Sequence, residues 1–167
     1  MEKIYFGKTE NFYEKPRKSN KGDAGLDVYV PENTFIEAGD TTVIPSGISV
    51  ALPENHMLMV TPRSGLSLNT SLRVANSPGI VDTGYRDEIG IIIHNNTPPE
   101  ELYTGDIEIA NLEYDLPAYH KHYQIPQGTR IAQLIPVEYK NCEMVEVDDV
   151  KEIGNDRGGG LGSTGVK

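Results

Sequence analysis

The sequence predicts an all-β protein. Eleven prolines and 17 glycines are spread over its 167 residues, and turn-forming residues recur about every ten residues, as in antiparallel sandwiches and barrels. Between the turns lie short runs of apolar or β-branched residues, which predict strands. A chain of this length can bury a sizeable core, so we expect one domain over residues 1–167.

The predicted elements follow one another along the chain. TTVIPSGISVALP (41–53) and HMLMVTP (56–62) predict strands, and SGLSLNTSL (64–72) predicts a helix of at most two turns that is capped by Ser64. The run IGIIIHN (89–95) is continuously apolar and predicts a strand buried on both faces. Alternating side chains predict further strands, RIAQLIPVEY (130–139) and EMVEVDDV (143–150).

Two segments differ from the rest of the chain. Residues 96–126 carry four of the nine tyrosines and one apparent strand, DIEIANLEY (106–114), and are interpreted as an insertion. Residues 155–167 are mostly small, so they cannot pack a core, and we expect a mobile, glycine-rich C-terminal arm until a ligand orders it.

Charge and composition exclude some functions. The formal net charge of -10 repels polynucleotide phosphate, so we expect no binding to nucleic acid polymers, although an arginine cluster and a metal can still hold a small phosphorylated ligand. A single cysteine forms no internal disulfide. No run approaches the roughly 18 apolar residues of a membrane span, and no signal-peptide core is present. We therefore expect a cytoplasmic protein without membrane contact.

Five short pieces carry residues suited to chemistry. Asp27 lies where a turn enters a strand in DAGLDVYV, and Gln133 is a polar residue inside the apolar strand of GTRIAQL. Arg63 opens the predicted helix, where an arginine fork and backbone N–H groups suit phosphate. The other two pieces are SPGIVDTGY and the glycine-rich tail. Each has an ordinary alternative: a turn acid, a solvent-facing strand residue, a surface arginine beside a cap, a surface turn or a disordered tail.

In this order, AGLD, PRSGL, GIVDTGY, RIAQL and GLGSTG resemble the five motifs of the trimeric deoxyuridine triphosphatase (dUTPase) family. The resemblance covers residues 22–95 and 127–166. It implies a jelly-roll-like β-barrel subunit and a homotrimer with three active sites at subunit interfaces. It also implies hydrolysis of dUTP to dUMP and pyrophosphate, with Mg²⁺ as cofactor.

The resemblance also implies a role for each motif residue. Asp82 would activate the attacking water, and Tyr85 would lie against the sugar and exclude a 2′-hydroxyl. Asp27 and Gln133 would hold the hydrated Mg²⁺ through its waters. The uracil would contact Asn76, Gly79, Ile80, Val81, Gly90 and Leu161. The phosphates would be bound by Arg63, Ser64, Gly65, Arg157, Gly162, Ser163 and Thr164.

The sequence departs from the family pattern at Leu161, which stands four residues after Arg157 where the family has a phenylalanine at a spacing of five. The base therefore lacks its usual aromatic cover. One hypothesis is that a tyrosine of the insertion supplies it or pins the arm that does; the alternative is that these tyrosines pack the insertion onto the barrel. The candidates are Tyr103, Tyr114, Tyr119 and Tyr123.

Several alternatives to the dUTPase interpretation exist. A dCTP deaminase-like enzyme shares the fold, but that family needs a glutamate in the strand after the third motif, where this chain has Ile92. A catalytically dead regulator would use residues 96–126 as its working surface, as would a phage-type dUTPase with an added protein partner. A structural jelly-roll protein would explain the strands but not the motifs.

Overall fold

The protein is described here by a computed structural model, which covers residues 2–97, 107–108 and 122–159. Over these residues the chain forms twelve strands, one α-helix and one short 3₁₀ turn, which confirms the all-β class. The helix α1 is Ser64–Asn69 and the 3₁₀ turn is Val150–Glu152. The strands are β1 Tyr5–Lys8, β2 Leu26–Tyr29, β3 Thr34–Glu37, β4 Thr41–Pro45, β5 Ile48–Ala51, β6 His56–Pro62, β7 Leu72–Val74, β8 Gly79–Val81, β9 Gly90–Asn95, β10 Ile107–Glu108, β11 His122–Ile125 and β12 Arg130–Glu138.

The strands form four small sheets around one core, as expected for a jelly-roll-like barrel. The largest sheet has the order β2-β12-β6-β8, and the others have the orders β4-β9-β7, β10-β11-β3 and β1-β5. Neighbouring strands are antiparallel except for β10 and β11, which are parallel. The largest sheet carries three of the five sequence motifs, because β2, β8 and β12 belong to it.

The prediction that the run IGIIIHN is buried on both faces is wrong. Ile91, Ile93 and Asn95 of β9 are fully buried, whereas Ile92 and His94 are only half-buried. The reason is that β9 lies between β4 and β7 in a sheet that turns one face to the core. The residues on the other face have no layer above them among the described residues.

The helix is shorter than predicted, and Ser64 does not cap it. Arg63 occupies the N-cap position with an extended backbone and no side-chain cap, so Ser64 is the first helical residue. The helix ends at Asn69 because Thr70 is extended (φ -139°, ψ 164°) and the Thr70 hydroxyl donates to the Leu66 carbonyl at 2.6 Å. Leu66 is buried, whereas Leu68 is 71% exposed.

The prediction of a strand over EMVEVDDV (143–150) is also wrong for the single chain. Residues 140–159 are all exposed, and residues 143–148 pair with no strand that the structure describes. Alternation alone does not make a strand without a neighbouring edge to pair with. Large apolar side chains are therefore exposed to solvent: Met144 is 97% exposed, Val145 72%, Val150 73% and Ile153 64%.

Tyr123 belongs to the core. It lies on β11 opposite Ile36 of β3, is fully buried, and accepts a hydrogen bond from the Ser71 backbone N–H at 2.9 Å. For this tyrosine the packing alternative applies, and it cannot cover a bound base. Tyr103, Tyr114 and Tyr119 lie outside the described residues. In the part of the chain that the structure covers, α1 is far too short to span a bilayer and no other helix qualifies.

Candidate functional site

The first, second and fourth motifs meet in one cleft of about 530 Å³. Asp27 on β2 lies directly opposite Gln133 on β12, and Gln133 lies in turn opposite Thr61 near the end of β6. Arg63 and Ser64 follow β6 where it gives way to α1. Strand pairing therefore gathers residues that are far apart in the sequence.

The Asp27 carboxylate is buried and accepts three hydrogen bonds. Its Oδ1 accepts a hydrogen bond from Arg63 Nε at 2.8 Å, and its Oδ2 accepts one from Ser19 Oγ at 2.7 Å and one from Arg130 Nη1 at 3.3 Å. Asp23 also lines the cleft, so its two arginines and two aspartates carry no net charge. Both arginine side chains are nevertheless partly exposed to the cleft, where their guanidinium groups can donate hydrogen bonds to an anion.

Gly25 explains the position of the Gln133 amide. A Cβ at Gly25 would lie 2.4 Å from Gln133 Oε1, so only glycine lets the Gln133 side chain lie across the first motif. The Gln133 Nε2 donates to the Pro62 carbonyl at 3.2 Å. The amide nitrogen is thus occupied by the backbone, and the amide oxygen faces the Gly25 side.

The donor set of this cleft suits a hydrated metal ion rather than a protein cage. The described residues contain no group of three or more histidine, cysteine, aspartate or glutamate side chains that could hold a metal directly. The Asp27 carboxylate and the Gln133 amide supply oxygen atoms, which are the groups that accept hydrogen bonds from the waters of Mg²⁺. The residues present therefore fit an ion whose inner ligands come from water and a bound ligand.

An adjoining cleft of about 380 Å³ continues along the start of α1 and is lined by Arg63, Gly65 and Arg130 among others. A Cβ at Gly65 would meet no atom within 4 Å. The protein's own packing does not require glycine here, which leaves room for a ligand to approach the backbone.

The third motif forms a tight turn between β8 and β9. The Tyr85 N–H donates to the Asp82 carbonyl at 3.0 Å, and the Tyr85 hydroxyl donates to the Glu88 carbonyl at 2.9 Å. Asp82 is exposed and the Tyr85 residue is 38% exposed. Both side chains are thus accessible from solvent on a turn whose backbone is fixed.

Glu88 anchors this turn to the body of the protein. Its Oε1 accepts a hydrogen bond from the Gly47 N–H at 2.7 Å, and its Oε2 accepts one from Asn11 Nδ2 at 2.9 Å. The carboxylate thus joins the turn to the β4–β5 connection and to the N-terminal loop. Sequence reasoning missed Glu88 because a lone acid in a polar turn gives no signal of its distant partners.

Replacing Glu88 by alanine is expected to lower the free energy of unfolding by about 1–3 kcal/mol, because the buried Gly47 N–H loses its partner. Urea denaturation measures this change. Asp87→Ala is the matched control, since Asp87 is exposed and forms no hydrogen bond with the described residues. Equal losses in both variants would show that Glu88 does not anchor the turn.

Most of the residues predicted to read a base lie on β8 or just before it, and Gly90 begins β9. Gly79 is buried, and a Cβ there would lie 2.9 Å from Asn76 Nδ2, so glycine allows Asn76 to approach the strand closely. Val81 is buried in the core and Ile80 is 50% exposed. A Cβ at Gly90 would lie 2.7 Å from Cγ1 of Val43, an exposed side chain of β4 that would have to move to make room.

Within one chain the structure does not bring the two groups of site residues together. Asp27 and Val81 are separated by three strand spacings across the largest sheet and by three residues along it, because Asp27 lies level with Thr61 and Val81 level with Leu58. At typical strand spacings their backbones are roughly 17 Å apart. One small ligand group cannot touch both Asp27 and Asp82 of the same chain.

The C-terminal site residues are only partly described. Arg157 is exposed, and its Nε donates to the Gly159 carbonyl at 3.0 Å. The other predicted ligands of the arm lie outside the described residues; they are Leu161, Gly162, Ser163 and Thr164.

Sequence reasoning also missed two partners of Asp27. Arg130 is the first residue of the RIAQL motif and of β12. A cation directly before the apolar run that contains the buried Ala132 could have been noticed. Ser19 lies in a polar loop eight residues before Asp27 and offers no comparable signal.

Comparison with known proteins identifies one family. The family model described as dUTPase matches residues 13–112. The deoxyuridine 5'-triphosphate nucleotidohydrolase of Corynebacterium jeikeium is 35% identical over 153 residues, which cover 90% of this chain and 85% of that protein.

Solved structures of phage proteins are similar over most of the chain. The dUTPase of Staphylococcus bacteriophage 80alpha, solved with dUPNHPP, has a TM-score of 0.83 and 29% identity, and the match covers 98% of this chain and 99% of that one. A variant of the dUTPase from phage phi11 of S. aureus, described with a structural Mg(II) ion, has a TM-score of 0.75 and 30% identity and covers 89% and 99% of the two chains.

Proposed function

The chain belongs to the dUTPase family, and we infer that it is a dUTP diphosphatase that hydrolyses dUTP to dUMP and pyrophosphate. The observation that carries this inference beyond the family match is the cleft in which Asp27, Arg63, Ser64 and Gln133 meet. It combines two arginine guanidinium groups with carboxylate and amide oxygens that can accept hydrogen bonds from a hydrated cation, as a triphosphate ligand needs. A dCTP deaminase-like enzyme is not supported, since Ile92 stands where that family needs a glutamate.

In the proposed mechanism, Asp82 acts as the general base. Its carboxylate accepts a proton from a water molecule as the water oxygen bonds to the α-phosphorus. The bond between the α-phosphorus and the oxygen that bridges to the β-phosphate then breaks, and its electron pair leaves with pyrophosphate. The hydrogen bond from the Tyr85 N–H to the Asp82 carbonyl fixes the backbone that carries this carboxylate.

The phosphates are proposed to lie along the two clefts beside α1. Arg63 donates from its guanidinium, and Ser64 and Gly65 donate from the first turn of the helix, where space is open around Gly65. Arg157 and the arm residues Gly162, Ser163 and Thr164 would close over the nucleotide, with Leu161 against the uracil.

Mg²⁺ is the proposed cofactor. When bound, the ion neutralises phosphate charge and favours a chelated conformation of the triphosphate. Asp27 and Gln133 would hold it by accepting hydrogen bonds from its waters. The hydrogen bonds from Arg63, Ser19 and Arg130 keep the Asp27 carboxylate in a fixed orientation for that role.

A homotrimer with shared sites is proposed on two grounds. The Asp82 turn and the Asp27 cleft are too far apart in one chain to act on one triphosphate, so two subunits must contribute to a site. In addition, the exposed apolar side chains of residues 140–159 need a covering surface, which another copy of the chain can supply. We place the single domain over residues 1–167, with an insertion at 96–126 and an arm at 155–167. A protein partner for the insertion stays a prediction.

Shared sites can be tested by mixing two inactive variants. Asp82→Asn and Arg63→Gln damage opposite halves of the site, so co-expressed subunits should regain activity at about a quarter of the sites, by random assembly around a three-fold axis. The control carries both changes in one chain and is co-expressed with itself. Mixed trimers without recovered activity would contradict shared sites.

Tyr85→Ala is expected to relax sugar selection. The ring is the proposed barrier to a 2′-hydroxyl, and its hydroxyl fixes it to the Glu88 carbonyl. We expect the ratio of kcat/KM for dUTP over UTP to fall by about 10- to 100-fold, which is the discrimination that a shaped pocket achieves against one additional hydroxyl. Tyr85→Phe keeps the ring and should keep most of the ratio. An unchanged ratio in Tyr85→Ala would place the discrimination elsewhere.

A further inference from the structure

A third cleft, of about 440 Å³, lies beside the Asp27 cleft and has no assigned role. It is lined by Arg17, Lys18, Ser19, Tyr29, Gly128 and Arg130. Three of these six residues are cations and none is an acid, although the whole chain has a net charge of -10. We propose that this cleft is a second anion subsite that takes inorganic pyrophosphate, the leaving group of the proposed reaction. The identity of this ligand rests on the proposed function.

Arg17 is held in place to bind an anion. Its Nε donates to the Tyr29 hydroxyl at 3.1 Å, its guanidinium carbon lies 6.0 Å from the centre of the Tyr29 ring, and Tyr29 itself is buried in the core. The terminal nitrogens of Arg17 donate to no residue that the structure describes. A guanidinium fixed at Nε with its outer edge free is arranged for a phosphoryl group.

The subsite is joined to the Asp27 cleft through two shared residues. Ser19 and Arg130 line both clefts. Arg130 Nη1 donates to Ser19 Oγ at 2.8 Å, and Ser19 Oγ donates to Asp27 Oδ2 at 2.7 Å. The Asp27 backbone N–H also donates to the Arg17 carbonyl at 2.9 Å. An anion leaving the Asp27 cleft therefore meets Arg130 first and Arg17 and Lys18 next.

The charge distribution favours a polyanion in this place. The stretch from Lys15 to Lys21 contains four cations and no acid, a local excess in an acidic chain. The Arg17 guanidinium is charged at physiological pH, and the Tyr29 hydroxyl and, less strongly, Glu14 raise its pKa further. Lys18 is exposed and pairs with none of the described residues, so its charge is available to a ligand.

The lining suits pyrophosphate better than a whole nucleotide. The walls are cations, a serine and a glycine, and the one aromatic ring carries the Arg17 guanidinium, so the lining is mainly polar and little apolar surface is left for a base. Pyrophosphate carries more charge than dUMP or inorganic phosphate, and three cations therefore select it. Binding there would draw the leaving group away from the α-phosphate.

Titration calorimetry of the full chain with inorganic pyrophosphate tests the subsite. The variant Arg17→Gln/Lys18→Gln should bind pyrophosphate at least about tenfold more weakly, since it loses two charged donors. The matched control Lys3→Gln/Lys140→Gln removes the same charge from exposed lysines outside the cleft and should change the Kd by less than about twofold. The Kd of dUMP should be the same in all three proteins.

Each result of these titrations either supports or overturns the proposed pyrophosphate subsite. Equal weakening of pyrophosphate binding in both double variants would mean that only the overall charge of the protein acts on the ligand. An unchanged Kd in the Arg17/Lys18 variant would mean that pyrophosphate does not bind in this cleft. Either result overturns the proposal. If the double variant does not fold, Lys18→Glu alone should still weaken pyrophosphate binding, because Lys18 bonds to no described residue. The dUTP turnover of the wild-type chain is measured alongside. Turnover with unaffected pyrophosphate binding refutes the subsite alone, whereas no turnover refutes the proposed function.

Discussion

Replacing Asp82 by asparagine is expected to lower kcat for dUTP by about 10²–10⁴-fold, the usual contribution of a general base. The amide preserves the size of the side chain but cannot accept the proton of the attacking water. The turn should keep its shape, because its hydrogen bonds run from the Tyr85 N–H to the Asp82 carbonyl and from the Tyr85 hydroxyl to the Glu88 carbonyl. Nucleotide binding and the oligomeric state should therefore be unchanged.

The measurement is steady-state hydrolysis of dUTP together with the Kd of a non-hydrolysable dUTP analogue. Asp87→Asn is the control, since Asp87 is an exposed carboxylate in the same turn and is expected to have nearly full activity. A loss of less than about tenfold in Asp82→Asn would show that Asp82 is not the base.

Truncation after Asn155 is expected to leave a folded oligomer with very little activity. The removed residues that the structure describes, 156–159, are all exposed, so the truncation deletes no described core surface. It does delete Arg157 and every other proposed phosphate ligand of the arm, which are charge-assisted or hydroxyl donors to the triphosphate. We therefore expect the truncation to lower kcat far more than it lowers the stability of the fold.

Size-exclusion chromatography, the melting temperature and kcat for dUTP together measure this separation. Arg157→Gln is the smaller companion change and should give a partial loss of activity at an unchanged melting temperature. A truncated protein with full activity would show that the arm takes no part in catalysis.

Local patterns predicted the strands of the largest sheet well. HMLMVTP and RIAQLIPVEY became the paired strands β6 and β12, because alternation and flanking turn residues act within a few positions of one another. The strand predictions failed where burial or pairing depends on residues that are distant in the sequence. The run IGIIIHN is half-buried because its sheet has only one covered face, and EMVEVDDV is unpaired because no described strand of its own chain lies beside it.

The sequence predicted candidate site residues, some of which the structure brings into one cleft, but it did not predict their arrangement. Asp27, Arg63 and Gln133 were identified from short motifs, and strand register then placed them in one cleft. Neither the partners of Asp27 nor the anchoring of the Asp82 turn by Glu88 could be read from the sequence, since both depend on contacts between residues that lie far apart along the chain. The separation of Asp82 from Asp27 likewise follows only from the order of strands in the sheet.

Hydrolysis of dUTP is tested most directly by measuring pyrophosphate and ammonia release from dUTP, dCTP and dTTP, each with and without Mg²⁺. We expect one pyrophosphate and one dUMP for each dUTP consumed when Mg²⁺ is present, much slower release without it, little release from dCTP or dTTP, and no ammonia. Ammonia from dCTP, or equal pyrophosphate release from all three nucleotides, would contradict a dUTP-specific diphosphatase.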